Sequence, residues 1–169
     1  WASCGLGFIC LAYNSLFSTL KMAVVDKSGD ILAKAKEKAE AGDIAGAHQL
    51  FDQILAADPS HLATLTSKGL LYMKSYDYES AMTYLEAARA VTDSEELKTA
   101  SGECFLRLGL TDDAIEVLRD VIDTNPLSTT ARCLIAMAMS QLESSEDALV
   151  HCEFVLHMEP RHFLARSVK

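Results

Sequence analysis

Aromatic residues are scarce: they make up 7% of the 169 residues, and there is a single tryptophan. A β-sandwich draws its core from β-branched and aromatic side chains, so the shortage argues against one. The abundant alanine and leucine suit closely packed helices instead. Cysteines number five, and no two form a CxxC pair (Cys4, Cys10, Cys104, Cys133 and Cys152). A disulfide scaffold or a zinc centre would cluster them. Three of the five stand at helix-periodic positions, and together they read as buried thiols in a reducing compartment. There is also no glycosylation sequon to argue for secretion.

Charge of one sign is short as well. Net charge is −9, but it is unevenly spread. Residues 1–38 carry Lys21, Lys27, Lys34, Lys36 and Lys38 against Asp26, Asp30 and Glu37. The remainder of the chain is strongly acidic, and an acidic body repels phosphate backbones, which excludes nucleic acid as the natural partner. Half of the residues are hydrophobic, enough to build a core and to exclude general disorder.

Catalytic constellations are missing. The sequence has no P-loop, no dinucleotide glycine pattern after a strand, no His-Glu-x-x-His and no nucleophile elbow. Gly5-Leu6-Gly7 has no strand before it. His151, His157 and His162 lack the one-face spacing of helix ligands. No enzyme activity, cofactor or metal site is expected.

What is present is a repeat. Ala47, Ala81, Ala114 and Ala148 recur at gaps of 34, 33 and 34. Four residues beyond each stand Phe51, Leu85, Leu118 and Cys152; three further on come Ile54, Ala88, Val121 and Val155. A second series with the same gaps runs Ala35, Gly69, Gly102 and Ala136, followed after three residues by Tyr72, Phe105 and Met139 in the last three units. A small residue lets paired helices approach, a bulky one fills the space beside it, and these spacings keep both on one face. Asp58-Pro59, Asn125-Pro126 and Glu159-Pro160 close three of the units, with Asp93 in place of the proline motif in the other. Proline lacks an N–H and disfavours helix in the residue before it.

The punctuation predicts four helix pairs: residues 28–61, 62–94, 95–128 and 129–162, with 163–169 opening a further unit or cap. Asp43, Asp77, Thr111 and Ser144 are expected to cap the second helices, and Ser60 and Ser128 to cap first helices. Asp112 and Asp113 read as first-turn acids that favour the helix dipole. Ser94 reads as a tolerant turn position.

These residues resemble the tetratricopeptide repeat family over 28–162. Ala47, Phe51 and Pro59, Gly69, Tyr72 and Ala81, Gly102, Ala114 and Pro126, and Ala136, Ala148 and Pro160 stand at the family's signature places. Lys34, Lys38, Arg89 and Cys152 depart from it. The resemblance implies an all-α solenoid of four helix-turn-helix repeats, a right-handed superhelix whose first helices line a concave groove. It also implies a role as an interaction scaffold or adaptor for a partner helix or peptide. Carried onto this chain, the groove side takes Lys36, Ser67, Leu70, Met73, Lys74, Glu103, Leu106, Arg107, Leu134 and Met137. Leu106 and Leu134 serve equally well as inter-repeat packing. The clamp that some family members use for chaperone C-terminal tails would fall on Leu32, Lys36, Ser67, Glu96 and Ala100, or one repeat on, on Thr66, Leu70, Ala100, Thr130 and Leu134. Neither set suits carboxylates, so chaperone-tail capture is not expected. A substrate-selecting fragment of a larger enzyme and a structural subunit of a large complex are the alternatives.

Residues 1–20 carry no charge and are followed by Lys21. Twenty such residues would just cross a bilayer as a helix. Three readings of the leader, residues 1–25, stand open: a signal anchor with the array facing the cytoplasm, a targeting or packing helix, and a stretch outside the native protein, since Met22 makes an ordinary start.

Overall fold

A computed structural model describes residues 27–142 and 144–168. The leader, residues 1–25, and its anchor reading lie outside the described residues. Among the described residues there is no strand, and no helix is long and apolar enough to cross a membrane. Helix α1 occupies residues 27–40. It is followed by α2 (Ile44–Ala57), α3 (Leu62–Lys74), α4 (Tyr78–Val91), α5 (Glu95–Arg107), α6 (Thr111–Thr124), α7 (Thr129–Gln141), α8 (Ser145–Met158) and the short α9 (Phe163–Val168). The chain divides into two compact units between Pro59 and Ser60.

The first unit contains α1 and α2. Ala35, Ala47, Phe51 and Ile54 are buried, which are the small and bulky positions of the repeat. Lys34, Lys36 and Lys38 are exposed on α1, and Lys38 pairs with Asp43 at 2.5 Å. Asp43 caps α2 by accepting from the Gly46 N–H. The Lys38 ammonium and then that N–H hold the Asp43 carboxyl below the usual aspartate range.

The second unit explains the spacing of the repeat. First helices α3, α5 and α7 each have 13 residues, and second helices α4, α6 and α8 each have 14. Three-residue turns, such as Ser75–Asp77, join the members of a pair. The connectors between pairs have four residues at 125–128 and 159–162 but three at 92–94. That single missing residue is the 33-residue step, and it coincides with the missing proline. Gly109 takes φ +78° in its turn. The equivalent place after α3 is held by Tyr76 at φ 63°, a left-handed conformation that costs a non-glycine residue roughly 1–2 kcal/mol.

Within each pair the small residues meet bulky ones. A Cβ on Gly102 would lie 2.7 Å from Leu118 Cγ, and one on Gly69 would lie 3.0 Å from Leu85 Cγ. Glycine is therefore what permits α5 to approach α6, and α3 to approach α4, so closely. Leu85, Leu118, Val121, Ile135 and Val155 are fully buried. Each stabilises the fold by roughly 1.5–3 kcal/mol relative to exposure. One continuous core runs from Leu106 through Leu118, Leu134 and Ile135 to Cys152, tying α5, α6, α7 and α8 together. Cys133, Val155 and Ala165 form a smaller cluster where α9 docks. Cys104, Cys133 and Cys152 are buried thiols outside any disulfide, as their periodic placement predicts.

The caps differ in part from expectation. Asp77 accepts from the Ser80 N–H at 3.1 Å, as expected. Helix α3 is capped by His61, whose Nδ1 accepts from the Thr64 N–H, rather than by Ser60. Ser94 caps α5 by accepting from the Leu97 N–H, so it is no neutral turn position. Thr111 lies inside α6 behind the non-capping Leu110. Ser128 and Ser144 take the cap positions of α7 and α8 without a side-chain cap bond; the Ser144 hydroxyl donates to Asp147 instead.

Candidate functional site

The first helices of the second unit pack side by side, α3 against α5 and α5 against α7. Between α5 and α7 lies a cavity of about 140 Å³ lined by Glu103, Leu106, Arg107, Thr130, Cys133, Leu134, Met137, Gln141 and His162. Five of these, Glu103, Leu106, Arg107, Leu134 and Met137, are groove positions named from the sequence. Leu106 and Leu134 are 5% and 6% exposed, so they belong to the core and form the floor at the same time. Met137 is half-buried and Arg107 exposed. Arg107 Nη2 stands 3.6 Å from Glu103 Oε1, an i,i+4 pair looser than a hydrogen bond.

The other sequence-derived positions lie outside this cavity. Ser67 turns its hydroxyl back to donate to the Ala63 carbonyl at 2.7 Å. Leu70 is 43% exposed, Met73 half-buried and Lys74 exposed; all four sit on α3. Lys36 is exposed on α1 in the first unit.

Cys133, Gln141 and His162 are contributions the sequence reading missed, while Thr130 was placed on this face only as a clamp position. A signal for Gln141 was available, because Lys74, Arg107 and Gln141 recur at the repeat's own gaps on the last turns of α3, α5 and α7. His162 reaches the site from the connector before α9, where its Nδ1 accepts from the Ala165 N–H at 3.4 Å. Cys133 Sγ lies 3.5 Å from that same nitrogen. Burial pushes the Cys133 thiol up to about 11, with Cys152 and Glu159 adding to the rise and the Ala165 N–H opposing it. A thiol so placed is protonated and unreactive at neutral pH. The Cys133–His162 contact is therefore packing rather than an activated nucleophile.

The second helices present a different surface. A polar cleft of about 530 Å³ runs beside α6 and α8, with Asp112, Glu116, Asp120, Asp123 and Asp147 around Arg119. Among the described residues no group of His, Cys, Asp and Glu side chains is placed to hold a metal ion. Lys98 bridges Asp93 at 2.7 Å and Asp120 at 2.5 Å. The bond to Asp120, then that to Asp93, raises its pKa above the ordinary lysine value.

Fold and surface together define a helical-repeat protein of the kind that presents a face to partners. Family models described as tetratricopeptide repeat match residues 38–101 and 100–128. The chain belongs to the tetratricopeptide repeat family. Solved structures agree on the fold. The crystal structure of MamA protein superposes with a TM-score of 0.77 at 20% identity, covering 83% of this chain and 78% of that one. YrrB, described as a TPR protein with an unusual peptide-binding site, gives 0.69 at 21% identity over 82% of this chain and 74% of its own. A tetratricopeptide repeat protein from Parabacteroides merdae gives 0.73 at 17% identity over 83% and 57%. A search of curated proteins returned no match.

Proposed function

We propose that this protein is a non-enzymatic interaction scaffold that holds a helix or extended apolar segment of a partner protein against its first helices. The observation that carries the reading is the cavity between α5 and α7, floored by the buried Leu106 and Leu134 and lined also by the half-buried Met137. Partly exposed Leu70 and Met73 extend the apolar character onto α3. Methionine and leucine give adaptable contact, while Lys74 and Arg107 steer and orient. The description of YrrB as peptide-binding supports the class of ligand.

The test is affinity capture with the whole chain, followed by titration of the captured partner. Truncating Met73 and Met137 together to Ala should weaken binding by about tenfold to a hundredfold through lost apolar burial. Lys74→Glu with Arg107→Glu should slow association and change its salt dependence. Asp112→Ala with Glu116→Ala, in the α6 cleft, should leave binding nearly unchanged. If the α6 pair abolishes binding while the methionine pair does not, the partner uses the second helices and the reading is wrong.

A further inference from the structure

Helix α8 carries a histidine where a positive charge has no partner. Asp147, His151, Phe154 and Met158 stand at steps of four, three and four residues, so they share one stripe of the helix. The Nδ1 atom of His151 is buried and meets no hydrogen-bond partner among the described residues. One turn on, the Arg132 guanidinium of α7 lies 3.9 Å over the Phe154 ring, and its Nε donates to the Pro126 carbonyl at 2.9 Å. That stack ties α8 to α7 through a cation. The repeat's own gaps put Leu50, Tyr84 and Val117 at the place of His151 in the other pairs. Tyr84 stacks there on Tyr72, with 5.4 Å between ring centroids. None of those three changes charge between pH 5 and 8, whereas histidine does.

The charged groups facing the imidazole are Arg132 from α7, Arg119 from α6 and Asp147 one turn back on α8. Two are cations, and the carboxylate already accepts from the Ser144 hydroxyl at 2.9 Å. A neutral ring fits this seat. In a protonated ring both nitrogens are donors, so Nδ1 would be a buried donor without an acceptor, beside two guanidinium groups. Burial first, then Arg132 and Arg119, hold the His151 pKa below the ordinary histidine value, while Asp147 opposes them. The stability lent by the neutral ring is therefore whole above the unfolded value, about 6.5. It is lost as pH falls toward the lowered folded value.

We propose that His151 is an acid-sensitive latch: on taking up a proton it drives Arg132 off the Phe154 ring and loosens α8 from α7, while α3 to α6 stay closed. The loosened stretch includes the seat of α9, because Cys133 of α7 and Val155 of α8 form the cluster that buries Ala165. A second histidine stands at this end. The His162 Nδ1 accepts from the Ala165 N–H at 3.4 Å, and its protonation would undo that bond in α9 without touching the Arg132–Phe154 stack. The two can therefore be told apart.

The experiment follows amide exchange of the full chain by mass spectrometry at pH 7.5 and pH 5.5, corrected for the intrinsic pH dependence of exchange, beside a proton NMR titration of His151. Opening of α8 should rise on acidification by up to about tenfold, the ratio of protonated to neutral histidine at pH 5.5 for a pKa near 6.5. Helices α3 and α4 should hold their rates. The His151 resonance should titrate at lower pH in the native chain than in urea. His151→Leu, which copies Leu50, should flatten the acid response of α8, and His162→Ser, which copies Ser94 and Ser128, should leave it in place. Arg132→Gln keeps a donor and removes the charge, so it should shrink the response. The wild-type exchange and titration decide the matter even where a variant fails to fold. No rise in α8 on acidification, a rise spread evenly over α3 to α8, or a His151 resonance that titrates no lower than in urea overturns the proposal. So does a response that His162→Ser abolishes and His151→Leu keeps.

Discussion

Gly102 offers the sharpest test of how the helix pairs are built. In Gly102→Ala the new methyl would stand 2.7 Å from both Cγ and Cδ2 of Leu118. An ordinary carbon–carbon contact is about 3.5–4.0 Å, so one side must move by about 1 Å. Leu118 is fully buried and sits in the continuous core, which leaves it no free direction. Overpacking of this kind typically costs about 1–3 kcal/mol, while replacing a helical glycine by alanine returns about 0.8–1 kcal/mol of propensity. The net is a destabilisation of up to about 2 kcal/mol. Gly69→Ala meets Leu85 Cγ at 3.0 Å, a milder overlap, and the two terms should nearly cancel. Gly29 has nothing within 4 Å of its Cβ position, so Gly29→Ala should stabilise by up to about 1 kcal/mol. Urea melts followed by circular dichroism should rank the midpoints Gly29→Ala above wild type, Gly69→Ala near it and Gly102→Ala below. A Gly102→Ala midpoint at or above wild type would refute the close approach of α5 to α6 as the reason for that glycine.

The cap of α4 should be visible in the acid limb of stability. The Ser80 hydroxyl and then its backbone N–H hold the Asp77 carboxyl below the usual aspartate range. Its contribution is present above the unfolded value, about pH 4, and lost as pH falls through the depressed folded one. Asp77→Asn keeps an acceptor oxygen but cannot titrate, so wild type should lose more melting temperature than the variant between about pH 6 and pH 3; equal losses would count against the cap. Burial, and secondarily Glu103, pushes the Cys104 thiol up to about 11, and Cys133 stands at the same value. Both should resist iodoacetamide at neutral pH in the folded protein and react in urea, as read by peptide mass spectrometry; rapid native labelling of either would show that its surroundings are more open than the fold implies.

The core was legible in the sequence because it is periodic. Ala47, Ala81, Ala114 and Ala148, with Phe51, Leu85, Leu118 and Cys152 four residues on, are all buried. A helix face repeats whether or not its neighbours are known. Capping was less legible: His61 closes α3 with a ring nitrogen, outside the usual hydroxyl and carboxylate set, and Leu110 takes the α6 cap position with no side chain able to accept. The cavity was legible in half. Glu103, Leu106, Arg107, Leu134 and Met137 follow from register, but Cys133 and His162 meet across 29 residues. That contact depends on how the connector before α9 folds back over α7, and no spacing rule along a single helix encodes it.

The short connector at 92–94 gives the array one joint of a different material. The connectors at 125–128 and 159–162 contain a proline ring, whose restriction is covalent and indifferent to solvent. Between α4 and α5 the equivalent restraint is the Lys98 ammonium, which is 11% exposed and clasps Asp93 and Asp120, whose side chains are 60% and 57% exposed. Carboxylates so open to water feel dissolved ions, and a pair of this type weakens as ionic strength rises. Among the connectors between helix pairs of the second unit, added salt therefore acts on this one, since the other two rest on a proline ring. The α3–α4 pair can then breathe against the α5–α8 block, and amide exchange in α4 and the first turn of α5 would quicken with salt ahead of every other helix in that unit.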